Sequence, residues 1–136
     1  MRIIAAAAIY FLIVFCVGFL LGPVRVFLLE PRFGETIATL CESPFIVIAI
    51  VVSARCLAKA FGLRTIGSLA GMGLGALAFQ QLADFAVGQF LRGIAPAQQF
   101  AHLVTPAGLI YVALLIAFAA MPLLGGWSQM RQPLRR

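Results

Sequence analysis

The amino-acid sequence predicts an all-α fold, a bundle of four transmembrane helices. Hydrophobic residues occupy 63% of the 136 positions and charged residues 10%, whereas a soluble domain carries about 25% charged residues. The mean hydropathy of +1.09 indicates the same preference for an apolar solvent. Four apolar stretches are close to the roughly 20 helical residues that cross a bilayer. A chain that crosses lipid must pair its backbone groups internally, so we expect each stretch to be helical.

The four helices form one predicted domain. They are expected to span residues 3–22, 36–61, 66–89 and 105–124. Gly22 and Pro23 should end the first helix, because glycine permits the turn and proline cannot continue a helix. Gly125 and Gly126 should end the fourth. The connection 23–35 mixes apolar and charged residues, which predicts a segment lying at the membrane surface.

The second helix has two plausible starting points. Ser43 and Pro44 fit an N-cap followed by proline at the first helical position. Residues 36–41 are also apolar enough to begin the helix earlier, and Pro44 would then bend it. We favour the continuous, bent helix, which places Glu42 inside the apolar segment.

The basic residues predict one fixed orientation, because membrane proteins keep lysine and arginine mainly on the cytoplasmic side. With the N-terminus inside, the inner ends of the helices hold seven basic residues: Arg2, Arg55, Lys59, Arg64, Arg131, Arg135 and Arg136. Arg25, Arg32 and Arg92 remain outside, together with all four acidic residues. We therefore expect a multi-pass inner-membrane protein with both termini in the cytoplasm.

Three glycines lie four residues apart on the third predicted helix: Gly67, Gly71 and Gly75. This spacing removes side chains from one helical face, so that another helix can approach closely. The partner is either a helix of the same chain or a second copy of it. Gly73, on another face, weakens the case for a dedicated dimer contact.

A cluster of polar residues falls at membrane depth in the outer half. Glu42 lies about 9 Å along the second helix if that helix starts near Thr36, and a carboxylate there needs a partner or a water-filled cavity. On the third helix, Gln80, Gln81 and Asp84 lie on nearly the same face. The residues expected in this outer polar pocket are Glu42, Asp84, Gln80, Gln81, Arg25, Arg32, Glu35 and Arg92. The cluster is interpreted either as structural pairing or as a site for a proton or ligand.

The sequence lacks the patterns of the common catalytic and metal sites. It has one histidine and no paired-cysteine motif, so no metal ligand set is predicted. Gly-x-Ser-x-Gly and phosphate-loop motifs are also missing, and no cofactor is expected. The basic residues are scattered rather than interleaved with aromatics, which argues against nucleic-acid binding. We expect a protein that is not an enzyme.

Three short segments resemble those of small four-helix inner-membrane proteins of bacteria: 31–35 (PRFGE), 42–44 (ESP) and 121–124 (MPLL). The resemblance covers most of the chain and implies the same topology, but it brings no activity with it. Small multidrug-resistance exporters have a similar size and an essential glutamate in the membrane. Here the first helix contains no acid, so that function does not carry over, and Glu42 is not an equivalent position.

Two functions are consistent with these features. The first is a structural or accessory protein that packs against other transmembrane helices, with lipids and other membrane subunits or a second copy as partners. The alternative is a small oligomeric transporter or channel that uses Glu42 and Asp84 in an outward-facing pocket. Transport requires acids that line a cavity, whereas a scaffold requires acids that are paired.

Overall fold

A computed structural model describes residues 1–131, with the side chains of residues 128–130 excepted. Arg135 and Arg136, two of the basic residues expected on the inner side, lie outside the described residues. The α-helices are α1 (Arg2–Val24), α2 (Glu30–Phe33), α3 (Glu35–Ala60), α4 (Ile66–Ala86), α5 (Pro96–His102) and α6 (Pro106–Met130). Two five-residue π-helical segments, Arg25–Leu29 and Val87–Leu91, extend α1 and α4.

Four helical segments are long and apolar enough to cross a membrane, as predicted. They are Arg2–Phe33, Glu35–Ala60, Ile66–Leu91 and Pro106–Trp127. The all-helical prediction is confirmed for the described chain, and each of the four segments is at least as long as the sequence suggested.

The first helix does not end at Gly22 and Pro23, contrary to the prediction. It continues through Pro23 as helix, and the segment 25–33, for which a position at the membrane surface was predicted, is helical. Proline removes only one N–H donor, and a π-type hydrogen bond, donated by Glu30 N–H to Arg25 O, keeps the backbone paired just beyond it. The turn comes at Gly34, whose φ of +83° favours glycine.

Other predicted boundaries also differ. Helix α3 runs from Glu35 through Pro44 without a break, which is the continuous alternative. Helix α6 continues past Gly125 and Gly126, because these glycines allow close packing instead of a turn. The 92–104 connection contains the short helix α5, which starts with Pro96.

The long helices form a four-sided bundle. Helix α1 packs against α3 and α4, and α6 packs against the same two helices. Helices α1 and α6 therefore lie diagonally across the bundle. They meet at its centre, where the Tyr10 and Phe118 rings stack with centroids 4.5 Å apart.

The hydrophobic core fills one half of the bundle, which we call the terminal half. It contains the first half of α1 and α4 and the second half of α3 and α6, with core residues such as Ala7, Ala54, Met72 and Phe118. Small residues on the facing helices let the backbones approach. A Cβ at Gly73 would collide with the carbonyl oxygen of Ala119.

Two of the three regularly spaced glycines pack against another helix of the same chain. A Cβ at Gly71 would lie 3.0 Å from Ile3 Cγ2, and one at Gly75 would lie 3.1 Å from Ala7 Cβ. Both glycines therefore face α1. Gly67 faces open space, with nothing described within 4 Å of an added Cβ.

Candidate ligand-binding cavity

The other half of the bundle encloses a cavity of about 1140 Å³ between the long helices. Its floor is formed by core residues, including Val14, Ile50 and Phe118. Polar residues from α3, α4, α5 and α6 line the upper walls and the rim. All four acidic residues of the chain are in this lining. The cavity thus combines an apolar floor with a polar, acid-rich opening.

Arg25 joins two of these acids. Its Nη1 lies 3.3 Å from Glu42 Oε2, and its Nε lies 3.2 Å from Glu30 Oε1. Glu42 is only 7% exposed, and a buried carboxylate is tolerated when a cation compensates its charge. The pair connects the end of the first helical segment to α3. The charge of Glu42 is therefore neutralised within the protein.

A π-helical segment begins at Arg25, two residues after Pro23, and its wider turn takes up one more residue than an α-turn. Such an insertion rotates the following side chains relative to the preceding helix, and π-turns are frequent at functional sites. In this chain the turn starts with the arginine that contacts Glu42.

Asp84 has a different environment. Gln80 Nε2 donates to both carboxylate oxygens at 2.9 Å, and the Tyr111 hydroxyl donates to Oδ2. Gln81 Nε2 lies 3.4 Å from the Tyr111 hydroxyl and extends this network. Among residues 1–131, no cationic group forms an ion pair with Asp84. Its charge is met by neutral hydrogen-bond donors alone.

Gln80 also leaves a polar atom unsatisfied. Its Oε1 is buried and has no hydrogen-bond partner among the described residues. An unpaired buried acceptor is unfavourable, and such atoms in folded proteins usually have a partner. The Asp84 carboxylate and this amide oxygen belong to side chains one helical turn apart, which both line the cavity.

The short helix α5 and its flanking residues form part of the cavity rim. His102 Nε2 lies 2.5 Å from Glu35 Oε1 and ties α5 to the start of α3. Gln99 Nε2 donates to Ile94 O at 3.1 Å. The Gln99 side chain occupies the space beside Gly88, where a Cβ would lie about 2.5 Å from its Nε2. These contacts hold α5 over the end of α4.

The cavity brings together most of the residues predicted for the outer polar pocket. Those in its lining are Glu42, Asp84, Gln80, Gln81, Arg25, Glu35 and Arg92. Arg32, expected beside them, is exposed and is not part of the lining. Arg25, and not Arg32, pairs with Glu42.

Sequence reasoning missed several residues of the cavity. Tyr111 contacts Asp84. Its only signal in the sequence is a hydroxyl group within a strongly apolar segment. Glu30 pairs with Arg25, five residues earlier in the same helical segment, whereas the contact of His102 with Glu35 depends on the short helix α5. Gln98 and Gln99 also line the cavity. Pairings between distant helices leave no local pattern in the sequence.

The arrangement is suited to binding. Within residues 1–131 no three His, Cys, Asp or Glu side chains are grouped so that they could hold a metal ion. The polar groups that line the cavity are carboxylates, amides, guanidinium groups, an imidazole, a phenol and a threonine hydroxyl, which bind a ligand by charge and hydrogen bonds. Comparison of the chain with models of protein families, with curated proteins and with solved structures finds no match.

Proposed function

We propose that this chain is a non-catalytic, multi-pass protein of a bacterial inner membrane whose cavity binds an amphipathic solute for transport. The observation that carries the proposal is the cavity of about 1140 Å³ with an apolar floor and a polar opening. Ligand pockets for small molecules usually measure about 300–1,000 Å³. A space of this size at one end of a bundle exceeds what helix packing requires.

The shape and the chemistry of the cavity favour a molecule with two different ends. An apolar chain or ring on the floor would contact Val14, Ile50 and Phe118. The polar end of the same molecule would lie among the carboxylates and amides above. Burial of the apolar part contributes about 25 cal/mol per Å² of surface removed from water. The polar groups then fix the orientation of the solute.

The direction of the opening follows from the proposed topology. The terminal half ends with basic residues, among them Arg2, Lys59 and Arg64, whereas the cavity end carries all four acids. The positive-inside preference supports placing the terminal half in the cytoplasm. The cavity then opens toward the outer face, and both termini are cytoplasmic.

The proposal is tested by filling the cavity. Gly18 lines it, and an added Cβ there meets nothing within 4 Å, so Gly18→Leu occupies the space without a backbone clash. Protein in phosphatidylcholine nanodiscs is titrated calorimetrically with decylammonium, decyltrimethylammonium and decanoate, with subtraction of empty nanodiscs. We expect saturable one-site binding of at least one probe, and weakening by about tenfold or more in Gly18→Leu.

The matched control is Gly67→Leu, since Gly67 is equally open but lies outside the cavity. It should change the affinity by less than about twofold. Absence of saturable binding for all three probes in the unmodified protein would contradict solute binding. So would equal effects of the two substitutions.

The accessory role remains a second candidate, because one observation favours it. Arg25 compensates both Glu30 and Glu42, as expected of polar groups that hold helices in register. An accessory protein would contact other membrane subunits or another copy through its apolar faces and would bind none of the probes. The titration therefore separates the two functions.

A further inference from the structure

The four acids of the cavity differ in how their charges are compensated. Arg25 lies against Glu30 and Glu42, and His102 lies against Glu35. Asp84 is the exception: no basic side chain among the described residues lies against it. A carboxylate in an apolar bundle is costly without a counter-charge. The cavity therefore contains one acidic position at which a cation from outside the chain would be stabilised.

The hydrogen bonds at this position indicate a ligand that donates. The Asp84 carboxylate has acceptor capacity beyond the bonds from Gln80 and Tyr111, since an ionised carboxylate offers about four lone-pair sites. Gln80 Oε1 has no donor among the described residues, but it is buried and has almost no accessible surface. A group with N–H bonds could therefore serve the remaining acceptor positions of the carboxylate. A quaternary ammonium carries the charge but has no N–H to donate.

The charge and the aromatic residues of the cavity lining favour a cationic ligand. The lining includes four acids and two arginines, and Arg25 is already held by two carboxylates. Phe15, Phe85 and Tyr111 also face the cavity, and aromatic faces attract ammonium groups as well as apolar chains. An anionic head group would meet uncompensated negative charge at Asp84.

We propose that the solute is an amphipathic organic cation with N–H donors, a primary or secondary alkylammonium, bound at Asp84 with its apolar part on the cavity floor. This assignment rests on the proposed function of the cavity. The ammonium donates to the Asp84 carboxylate. Tyr111 and the Gln80 amide nitrogen hold the carboxylate in place.

The test compares Asp84→Asn with Glu35→Gln in the nanodisc titration. Both substitutions remove one negative charge from the same cavity, but Glu35 is paired with His102 at the rim. A charge-assisted hydrogen bond contributes about 1.5–3 kcal/mol. We therefore expect Asp84→Asn to weaken decylammonium by about tenfold to a hundredfold. Glu35→Gln should weaken decylammonium by much less than Asp84→Asn does, because Glu35 is engaged by His102.

The three probes distinguish the contribution of the ligand's charge from that of its hydrogen bonds. Decyltrimethylammonium should bind more weakly than decylammonium, and decanoate should bind most weakly. Asparagine at position 84 can still accept from Tyr111 and can donate to Gln80 Oε1, so the variant should fold. Its thermal midpoint in detergent, measured beside that of the unmodified protein, verifies this.

Each outcome has a definite meaning. Saturable binding of decanoate in preference to decylammonium would overturn the cation assignment while leaving solute binding intact. Equal losses in Asp84→Asn and Glu35→Gln would overturn the role of Asp84, because bulk charge would then account for the affinity. Failure of all three probes would contradict both the assignment and the proposed function.

The ammonium could belong to a free amine or to an aminophospholipid head group. Repeating the titration in nanodiscs that contain phosphatidylethanolamine distinguishes the two sources. Competition that lowers the apparent affinity for decylammonium identifies the lipid. An unchanged affinity identifies a free solute, and either result supports an N–H cation at Asp84.

Discussion

Tyr10 supplies a hydrogen bond that the backbone of another helix lacks. Pro122 lies inside α6 and lacks the N–H that would pair with the carbonyl of Phe118, four residues earlier. The buried Tyr10 hydroxyl donates to that carbonyl at 2.8 Å. The proline is therefore accommodated by a side chain from α1, on the opposite side of the bundle.

Replacement of Tyr10 tests this compensation. Tyr10→Phe keeps the ring stacked on Phe118 but leaves the carbonyl unpaired, which should lower the free energy of unfolding by about 1–3 kcal/mol. In a Pro122→Ala background the backbone N–H is restored, and the same substitution should cost less. Thermal unfolding of the four proteins in mild detergent completes this double-mutant cycle. Equal losses in both backgrounds would contradict the interpretation.

The environments of the polar residues also depend on the tertiary structure. Glu42 and Asp84 were both recognisable as acids at membrane depth, but the sequence could not distinguish their environments. Arg25 reaches Glu42 only because the helix continues through Pro23 and turns at Gly34. Asp84 receives Tyr111 from a helix that begins more than 20 residues later.

At the scale of elements, the small residues of α4 determine how closely the helices pack. Gly71 and Gly75 face α1, and Gly73 faces the backbone of α6. The regular spacing was visible in the sequence; Gly71 and Gly75 lie close to α1, whereas Gly67 meets open space. The partner was not visible, because intramolecular and intermolecular helix contacts use the same spacing.

The contacts predict unequal effects of adding a methyl group. Gly73→Ala would force its Cβ against the Ala119 carbonyl, and overpacking of this kind typically costs about 1–3 kcal/mol. Gly67→Ala, which meets open space, should change the stability by less than about 0.5 kcal/mol. Unfolding in detergent measures both. A larger loss for Gly67→Ala, or a change in its oligomeric state, would indicate that the glycine face contacts another chain.

For the whole molecule, the distribution of charge and volume is the main feature. The terminal half is packed by small residues and ends in basic side chains, whereas the other half holds the cavity and all four acids. This division supports a single orientation across a membrane. The two ends of the bundle therefore differ in both charge and packing.

Cysteine labelling tests that orientation. In a background with the three native cysteines replaced by alanine, Ala97→Cys lies exposed on α5, and Ala60→Cys lies exposed at the end of α3. A membrane-impermeant maleimide added to spheroplasts should label position 97, since the proposed outer face carries the acids and few basic residues. Position 60 should react only after permeabilisation. The reverse pattern would show that the cavity faces the cytoplasm.

The sequence by itself determined the number of long apolar helices and the separation of the acids from most of the basic residues. These properties depend on composition along the chain, where hydropathy and charge can be read locally. The tertiary structure alone decided that α1 continues through Pro23, that Arg25 compensates Glu42, and that no basic side chain among the described residues pairs with Asp84. Those outcomes depend on distances between residues far apart in sequence, and such distances are set by how the four helices pack together.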